Sequence, residues 1–125
     1  MKLTLYWYPN CSTCKKAKKQ LDEYQIDYET VHLVEETPTE AELQTLIEKS
    51  GLEPKKFFNT SGKVYRENNM KDKLKAADLN QMVTYLAADG MLIKRPIVTD
   101  GEKVTVGFNE KIFKDTWIKE TDLNN

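Results

Sequence analysis

The only two cysteines of the chain, Cys11 and Cys14, are separated by two residues. A C-x-x-C pair exchanges thiols and disulfides when one sulfur is an activated thiolate and the other closes a disulfide with it. A disulfide here would close a very short loop and restrict the unfolded chain little, so the spacing favours chemistry over stabilisation. Two other interpretations stay open: small core residues, or half of a metal site completed by a partner chain.

The residues around the cysteines predict a strand followed by a helix. Residues 3–8, Leu-Thr-Leu-Tyr-Trp-Tyr, are rich in aromatic residues and stop at Pro9-Asn10, as a strand would. A helix that begins at Ser12 or Thr13 is predicted because apolar residues recur at helical spacing. They are Cys14, Ala17, Leu21 and Tyr24.

Cys11 should then lie in the loop just before the helix, where unpaired backbone N–H groups and the helix dipole stabilise a thiolate. Lys15 and Lys16 add positive charge nearby. Cys14 falls on the apolar stripe and should be the less exposed thiol. We therefore predict that Cys11 is the nucleophile and Cys14 the resolving thiol. Three neighbours would line the site: Asn10, Ser12 and Thr13.

The next elements are predicted from start and stop signals. Residues 28–33 form a candidate second strand. The sequence Thr37-Pro38-Thr39-Glu40 predicts a helix start with Thr37 as the N-cap, and Gly51 ends that helix. A short helix after Pro54 and a turn over residues 59–62 follow. Asp78 caps a helix whose apolar stripe continues to Ala87.

The last part of the chain predicts a β-hairpin and a closing helix. Residues 97–98 and 104–108 flank Asp100-Gly101, a pair that favours a tight turn. Asn109 caps the final helix, in which three apolar residues should face inward: Ile112, Phe113 and Trp117. The element order predicts a thioredoxin/glutaredoxin-like α/β fold, with a mixed four-stranded sheet flanked by helices and a helical insertion between its βαβ and ββα halves. Residues 1–120 should form a single domain, and residues 121–125 a flexible tail.

Arg95-Pro96 is the second candidate for chemistry. A proline that opens a strand cannot donate to the sheet ladder, so it marks an edge, a bulge or a cis bond. In a thioredoxin-like fold this position faces the dithiol loop, and Arg95 would stabilise the Cys11 thiolate or bind an oxyanion. The alternative is a surface arginine before a turn proline.

Residues 57–63, Phe-Phe-Asn-Thr-Ser-Gly-Lys, and residues 65–67, Tyr-Arg-Glu, look most like the Spx/MgsR-related branch of the ArsC/Spx family. Three further segments resemble that family. They are residues 6–17, Tyr-Trp-Tyr-Pro-Asn-Cys-Ser-Thr-Cys-Lys-Lys-Ala; residues 92–98, Leu-Ile-Lys-Arg-Pro-Ile-Val; and residues 106–110, Val-Gly-Phe-Asn-Glu. The resemblance implies a cis proline at Pro96. It also implies an arsenate-reductase-like site with Cys11 as nucleophile, Arg95 as one of three oxyanion-binding arginines, and Arg66 in the region of the second. The third falls near Gly107, where this chain has no arginine. Lys63 and Arg66 are further site-lining candidates.

Two functions follow from the resemblance. The first is a thiol–disulfide oxidoreductase or arsenate-reductase-like enzyme with a glutaredoxin or thioredoxin as redox partner. The alternative is a redox-switched transcriptional regulator that binds the C-terminal domain of the RNA polymerase α-subunit.

Composition and net charge limit the partners and the kinds of site that the chain can have. The chain has 125 residues and a net charge of −1, which gives it no overall attraction to nucleic acid or to a membrane surface. No apolar run approaches the roughly 20 residues that span a bilayer, and no signal peptide is evident. One histidine and two cysteines are too few for an ordinary zinc site. We therefore predict a cytoplasmic monomer without metal or cofactor.

Overall fold

A four-stranded mixed sheet forms the centre of the fold. The structure is a computed structural model that describes residues 2–118. The strands lie in the order β2-β1-β3-β4, and β3 pairs antiparallel with both β1 and β4. Their bounds are Leu3–Trp7 for β1, Tyr28–His32 for β2, Ile97–Thr99 for β3 and Val104–Val106 for β4.

Six α-helices lie within residues 2–118. They are α1 (Ser12–Glu23), α2 (Glu40–Ser50), α3 (Lys63–Glu67), α4 (Met70–Lys73), α5 (Leu79–Ala88) and α6 (Glu110–Trp117). Two short 3₁₀ helices cover Pro54–Phe57 and Gly90–Leu92. The halves β1-α1-β2 and β3-β4-α6, with α2 to α5 inserted between them in sequence, make a thioredoxin-like α/β fold. The predicted fold class is confirmed.

The chain divides into two compact units. Among the described residues, the first unit combines residues 2–31 with residues 95–118, and the second is residues 32–94. The prediction of a single domain over residues 1–120 stays a prediction, and the predicted tail of residues 121–125 lies outside the described residues.

The core of the first unit joins strand residues to the inner faces of α1 and α6. Burial of these apolar side chains is the main favourable contribution to folding. The buried members are Leu3, Leu5, Ala17, Leu21, Val98, Phe113, Trp117 and Ile118. Trp7 packs against this cluster from its edge.

In the second unit α2 and α5 pack together. Gly90 passes so close to the carbonyl oxygen of Leu33 that an added Cβ would clash with it. Two backbone hydrogen bonds join the segment at Phe57 to the segment at Leu92. The N–H of Lys94 donates to Phe57 O and the N–H of Asn59 donates to Leu92 O, each at 2.8 Å.

The start of α2 differs from the prediction. Thr39, not Thr37, is the N-cap: its side chain accepts the N–H of Glu42, whose carboxylate accepts the N–H of Thr39. The Thr37 hydroxyl instead donates to Leu33 O at 2.7 Å, closing the turn that precedes the helix. The predicted caps Asp78 and Asn109 are confirmed, as is Gly51, which ends α2 with φ +69°.

Two further predictions near the end of the chain need correction. Ile112 is 57% exposed, whereas Phe113 and Trp117 are buried as predicted. The hairpin is present, but Thr99 pairs with Val104, so its loop covers residues 100–103 and is longer than a two-residue turn. The Asp100 carboxylate accepts two backbone N–H bonds and stabilises that loop.

Candidate functional site

Cys11 is the N-cap of α1. Its Sγ accepts the N–H of Cys14 at 3.3 Å, and its carbonyl oxygen accepts the N–H of Lys15 at 3.1 Å. The N–H of Cys11 donates to Tyr8 O at 3.0 Å, which closes the turn through Pro9. The sulfur thus takes up one of the backbone donors that a helix start leaves unpaired.

A hydroxyl group also contacts the Cys11 sulfur. Thr13 Oγ1 lies 3.0 Å from Cys11 Sγ, and both side chains are half-buried. A thiolate has no proton to donate, so the Thr13 hydroxyl must be the donor when Cys11 is ionised.

The surroundings lower the pKa of Cys11 below the usual value of a free thiol. Partial burial is the largest single influence and raises the pKa, but several favourable contacts together outweigh it. They are the Cys14 thiol, the Thr13 hydroxyl, the Cys14 N–H and the positive charge of Arg95. Each of these stabilises the thiolate more than the thiol.

Cys14 behaves in the opposite way. It is fully buried on the inner face of α1, and this burial is the main reason that its pKa rises to about 12. Its thiol is also hydrogen-bonded to Cys11, which raises the pKa further. Both cysteines are free thiols. The pair therefore combines a partly exposed sulfur that ionises more readily than a free thiol with a buried sulfur that keeps its proton.

Arg95 supplies the positive charge at the site. Its guanidinium lies over the Tyr8 ring, with Cζ 5.2 Å from the ring centroid. Its Nε and Nη1 are buried and have no hydrogen-bond partner among the described residues. The Arg95–Pro96 peptide bond is cis, the isomer that the family resemblance implies.

The remaining predicted site residues fall into two groups. Asn10 and Ser12 are exposed beside Cys11. Lys63 and Arg66 lie on α3 in the second unit, where Lys63 Nζ is 3.6 Å from the Glu67 carboxylate. Arg66 Nη1 donates to the Ser61 carbonyl oxygen at 2.6 Å. Their role as site-lining residues stays a prediction.

Tyr8 is the residue of this site that the sequence interpretation missed. The strand prediction treated it as the last residue of β1, yet β1 ends at Trp7 and Tyr8 begins the turn. An aromatic residue directly before Pro9 was the available signal. Its contact with Arg95 joins positions 87 residues apart, and no local pattern encodes it.

Within residues 2–118, no group of three or more His, Cys, Asp or Glu side chains is arranged to hold a metal ion. None of the helices in that range is long and apolar enough to cross a bilayer.

The chain is a thioredoxin-like α/β protein with a C-x-x-C dithiol at the start of its first helix and a cis proline before β3. The family model for the ArsC family matches its residues 6–116. The chain therefore belongs to the ArsC family, and the resemblance found in the sequence is confirmed.

Curated relatives cover nearly the whole chain. The protein YusI of Bacillus subtilis (strain 168) is 56% identical over 117 residues, which are 94% of this chain and 99% of YusI. The regulatory protein MgsR of the same organism is 30% identical over 107 residues, which are 86% of this chain and 83% of MgsR.

Solved structures give the same fold. An ArsC family related protein from Bacteroides fragilis superposes with a TM-score of 0.88 at 43% identity, covering 92% of this chain and 97% of that one. A protein of Streptococcus mutans UA159 described as a possible arsenate reductase gives a TM-score of 0.81 at 44% identity, covering 86% of this chain and 91% of that one.

Proposed function

We propose that the chain is a cytoplasmic thiol–disulfide oxidoreductase in which Cys11 is the nucleophile and Cys14 the resolving thiol. The observation that carries the proposal is the opposite character of the two sulfurs. Cys11 is partly exposed and its pKa is lowered, whereas Cys14 is fully buried and its pKa is about 12. Such a pair offers one sulfur that ionises more readily than a free thiol and one reserve thiol that keeps its proton.

In the first step, the Cys11 thiolate attacks one sulfur of a substrate disulfide. A bond forms between Cys11 Sγ and that sulfur, and the substrate S–S bond breaks. Its electron pair leaves on the other substrate sulfur as a thiolate. The product is a mixed disulfide between Cys11 and half of the substrate.

In the second step, Cys14 releases the other half of the substrate. Burial is the main cause of the high pKa of Cys14, but the charge of Cys11 and the hydrogen bond to it also contribute. Both of the latter vanish in the mixed disulfide, so the first step itself makes Cys14 easier to ionise. Cys14 gives its proton to the departed thiolate and attacks Cys11 Sγ, and the second substrate sulfur leaves as a thiolate that takes a proton from solvent.

After these steps the substrate has gained two electrons and two protons, and Cys11 and Cys14 are joined by a disulfide. A dithiol protein of the thioredoxin or glutaredoxin class would reduce this disulfide and restore the starting state. Such a partner is part of the proposal.

Arsenate reduction is a more specific form of the same proposal. The guanidinium of Arg95, whose Nε and Nη1 have no hydrogen-bond partner within residues 2–118, is a suitable donor group for an oxyanion next to Cys11. The two thiols would supply the two electrons that convert arsenic(V) to arsenic(III), and one oxygen would leave as water. The similarity to the Streptococcus mutans protein supports this form.

The test measures NADPH-coupled turnover through thioredoxin or glutaredoxin, with bis(2-hydroxyethyl) disulfide and with arsenate as separate substrates. Cys11→Ser should reduce turnover to background. Cys14→Ser should accumulate the mixed disulfide, which mass spectrometry detects as one added substrate half. Because the chain has only two cysteines, each variant is the control for the other. Absence of turnover with both substrates in the wild-type chain would refute the proposal.

A redox-switched transcriptional regulator is the second candidate, supported by the similarity to the regulatory protein MgsR over 86% of this chain. In that case formation of the Cys11–Cys14 disulfide would change binding to the C-terminal domain of the RNA polymerase α-subunit. A binding titration against that domain, with the chain reduced and oxidised, tests it. Lack of binding in both states removes this candidate.

A further inference from the structure

Tyr8 contacts both cysteines and Arg95. Its carbonyl oxygen accepts the N–H of Cys11 at 3.0 Å. A backbone hydrogen bond from Tyr8 to Cys14 partly offsets the rise that burial causes in the pKa of that thiol. Its ring lies against the Arg95 guanidinium, with Cζ 5.2 Å from the ring centroid.

Arg95 is held in an unusual way for a half-buried cation. Among the described residues it takes part in no ion pair, and the pairs present there join other side chains. Its Nε and Nη1 are buried without a hydrogen-bond partner. The face of the Tyr8 ring is thus the contact that the structure gives the guanidinium.

The difference between a ring and a carboxylate matters for the chemistry of the site. A carboxylate would neutralise the guanidinium and occupy its N–H donors. An aromatic face attracts the cation through its quadrupole and leaves both the charge and the edge donors available. An aromatic ring is therefore better suited than a carboxylate to position a guanidinium that must interact with a thiolate or a substrate.

We propose that Tyr8 is a positioning residue: its ring holds the Arg95 guanidinium beside Cys11 with its charge and its N–H donors free to act on the thiolate and on an anionic substrate. This inference deepens the proposed function and rests on it for the substrate. The effect on the thiolate does not depend on the substrate. The positive charge of Arg95 lowers the pKa of both thiols, whereas burial, the larger effect, raises it.

The test is the pH profile of Cys11 alkylation by iodoacetamide in four chains: wild type, Tyr8→Leu, Arg95→Gln and the double variant. The charge of Arg95 is the smallest of the contacts that lower the pKa of Cys11, and a displaced guanidinium loses part of that effect. We therefore expect Tyr8→Leu to raise the pKa of Cys11 by up to about half a unit, which is up to about a threefold loss of thiolate below the pKa. In the Arg95→Gln background, Tyr8→Leu should add no further shift.

Matched variants separate the ring from other effects. Tyr8→Phe keeps the ring and should restore the wild-type profile, whereas Tyr8→Met, a second non-aromatic change, should behave like Tyr8→Leu. Tyr28→Leu removes a ring that lies 5.9 Å from the Lys18 ammonium elsewhere in the same unit, and it controls for the loss of any stacked tyrosine. It should leave the pKa of Cys11 unchanged.

The inference is overturned if Tyr8→Leu and Tyr8→Met leave the pKa unchanged, or if Tyr8→Leu shifts it equally with and without Arg95. Failure of the proposed function would look different, because the pKa measurement needs no substrate. If the wild-type chain turns over but the Tyr8 variants leave the pKa of Cys11 unchanged, this inference alone is refuted. A Tyr8-dependent pKa in a chain without turnover refutes the proposed function alone.

Discussion

The hydrogen bond between Thr13 and Cys11 provides a direct test of how the thiolate is stabilised. Thr13→Val removes the hydroxyl that lies 3.0 Å from Cys11 Sγ and keeps the β-branched shape of the side chain. Since the hydroxyl stabilises the thiolate more than the neutral thiol, its loss should raise the pKa of Cys11.

The size of the effect follows from the contact and its exposure. A hydrogen bond to a charged group contributes about 1.5–3 kcal/mol. At about 1.36 kcal/mol per pKa unit, this is roughly one to two units in a dry site. Cys11 is only half-buried, so water takes over part of the lost bond. We therefore expect a rise of about one unit.

The assay is the rate of alkylation by iodoacetamide between pH 5 and pH 9, with mass spectrometry to count the modified sulfurs. Cys14 does not interfere in this range because its pKa is about 12. Thr13→Ser keeps a hydroxyl at the same position and is the matched control, with a pKa near that of the wild type. If Thr13→Val titrates like the wild type, the hydroxyl does not stabilise the thiolate and the reasoning is wrong.

Three further expectations concern stability and are measured by urea unfolding. The folded chain holds the Cys14 proton up to a pKa of about 12, whereas the pKa of a free thiol is 9.0. The free energy of unfolding should therefore fall as the pH rises between these two values, and Cys14→Ala should lack that part of the decline. Gly90→Ala should cost about 3 kcal/mol because its Cβ meets backbone, whereas Gly51→Ala, which meets only open space at φ +69°, should cost about 1 kcal/mol. Phe113→Ala should cost about 3–5 kcal/mol, whereas Ile112→Ala should change stability by less than about 0.5 kcal/mol. Equal costs within either of the last two pairs would contradict the burial and spacing described above.

Local signals were sufficient for the reactive end of α1. The strand, the proline turn and the apolar stripe all lie within about 20 residues of Cys11, so the position and unequal exposure of the two thiols could be read from the sequence. The hairpin and the caps Asp78 and Asn109 are also local features, and all were predicted.

At the start of α2, local sequence signals do not decide between two possible N-caps. Thr37 and Thr39 are each followed by Glu at the third position, Glu40 and Glu42, and Pro38 favours the first of these pairs. The structure uses the second pair, because the Thr37 hydroxyl instead donates to Leu33 O. That contact depends on the path of the chain before the helix.

The wrong prediction for Ile112 could have been avoided from local spacing alone. Ile112 precedes Phe113 by one residue and lies about 100° away around the helix, so one inward face cannot hold both together with Trp117.

Other features depend on contacts that are distant in sequence. The close approach of Gly90 to Leu33 and the stacking of Tyr8 on Arg95 join segments far apart in the chain. Pattern analysis of one sequence gives no access to such pairs.

The sulfur that caps α1 is also the sulfur placed to react. While Cys11 is a thiolate, it is a strong acceptor for the N–H of Cys14, 3.3 Å away. Once that sulfur enters a covalent bond it loses its charge, and the N–H loses most of its partner. Amide hydrogen exchange in the first turn of α1 should therefore become faster when Cys11 is modified. The exchange rate would then report the covalent state of the sulfur without a label on it.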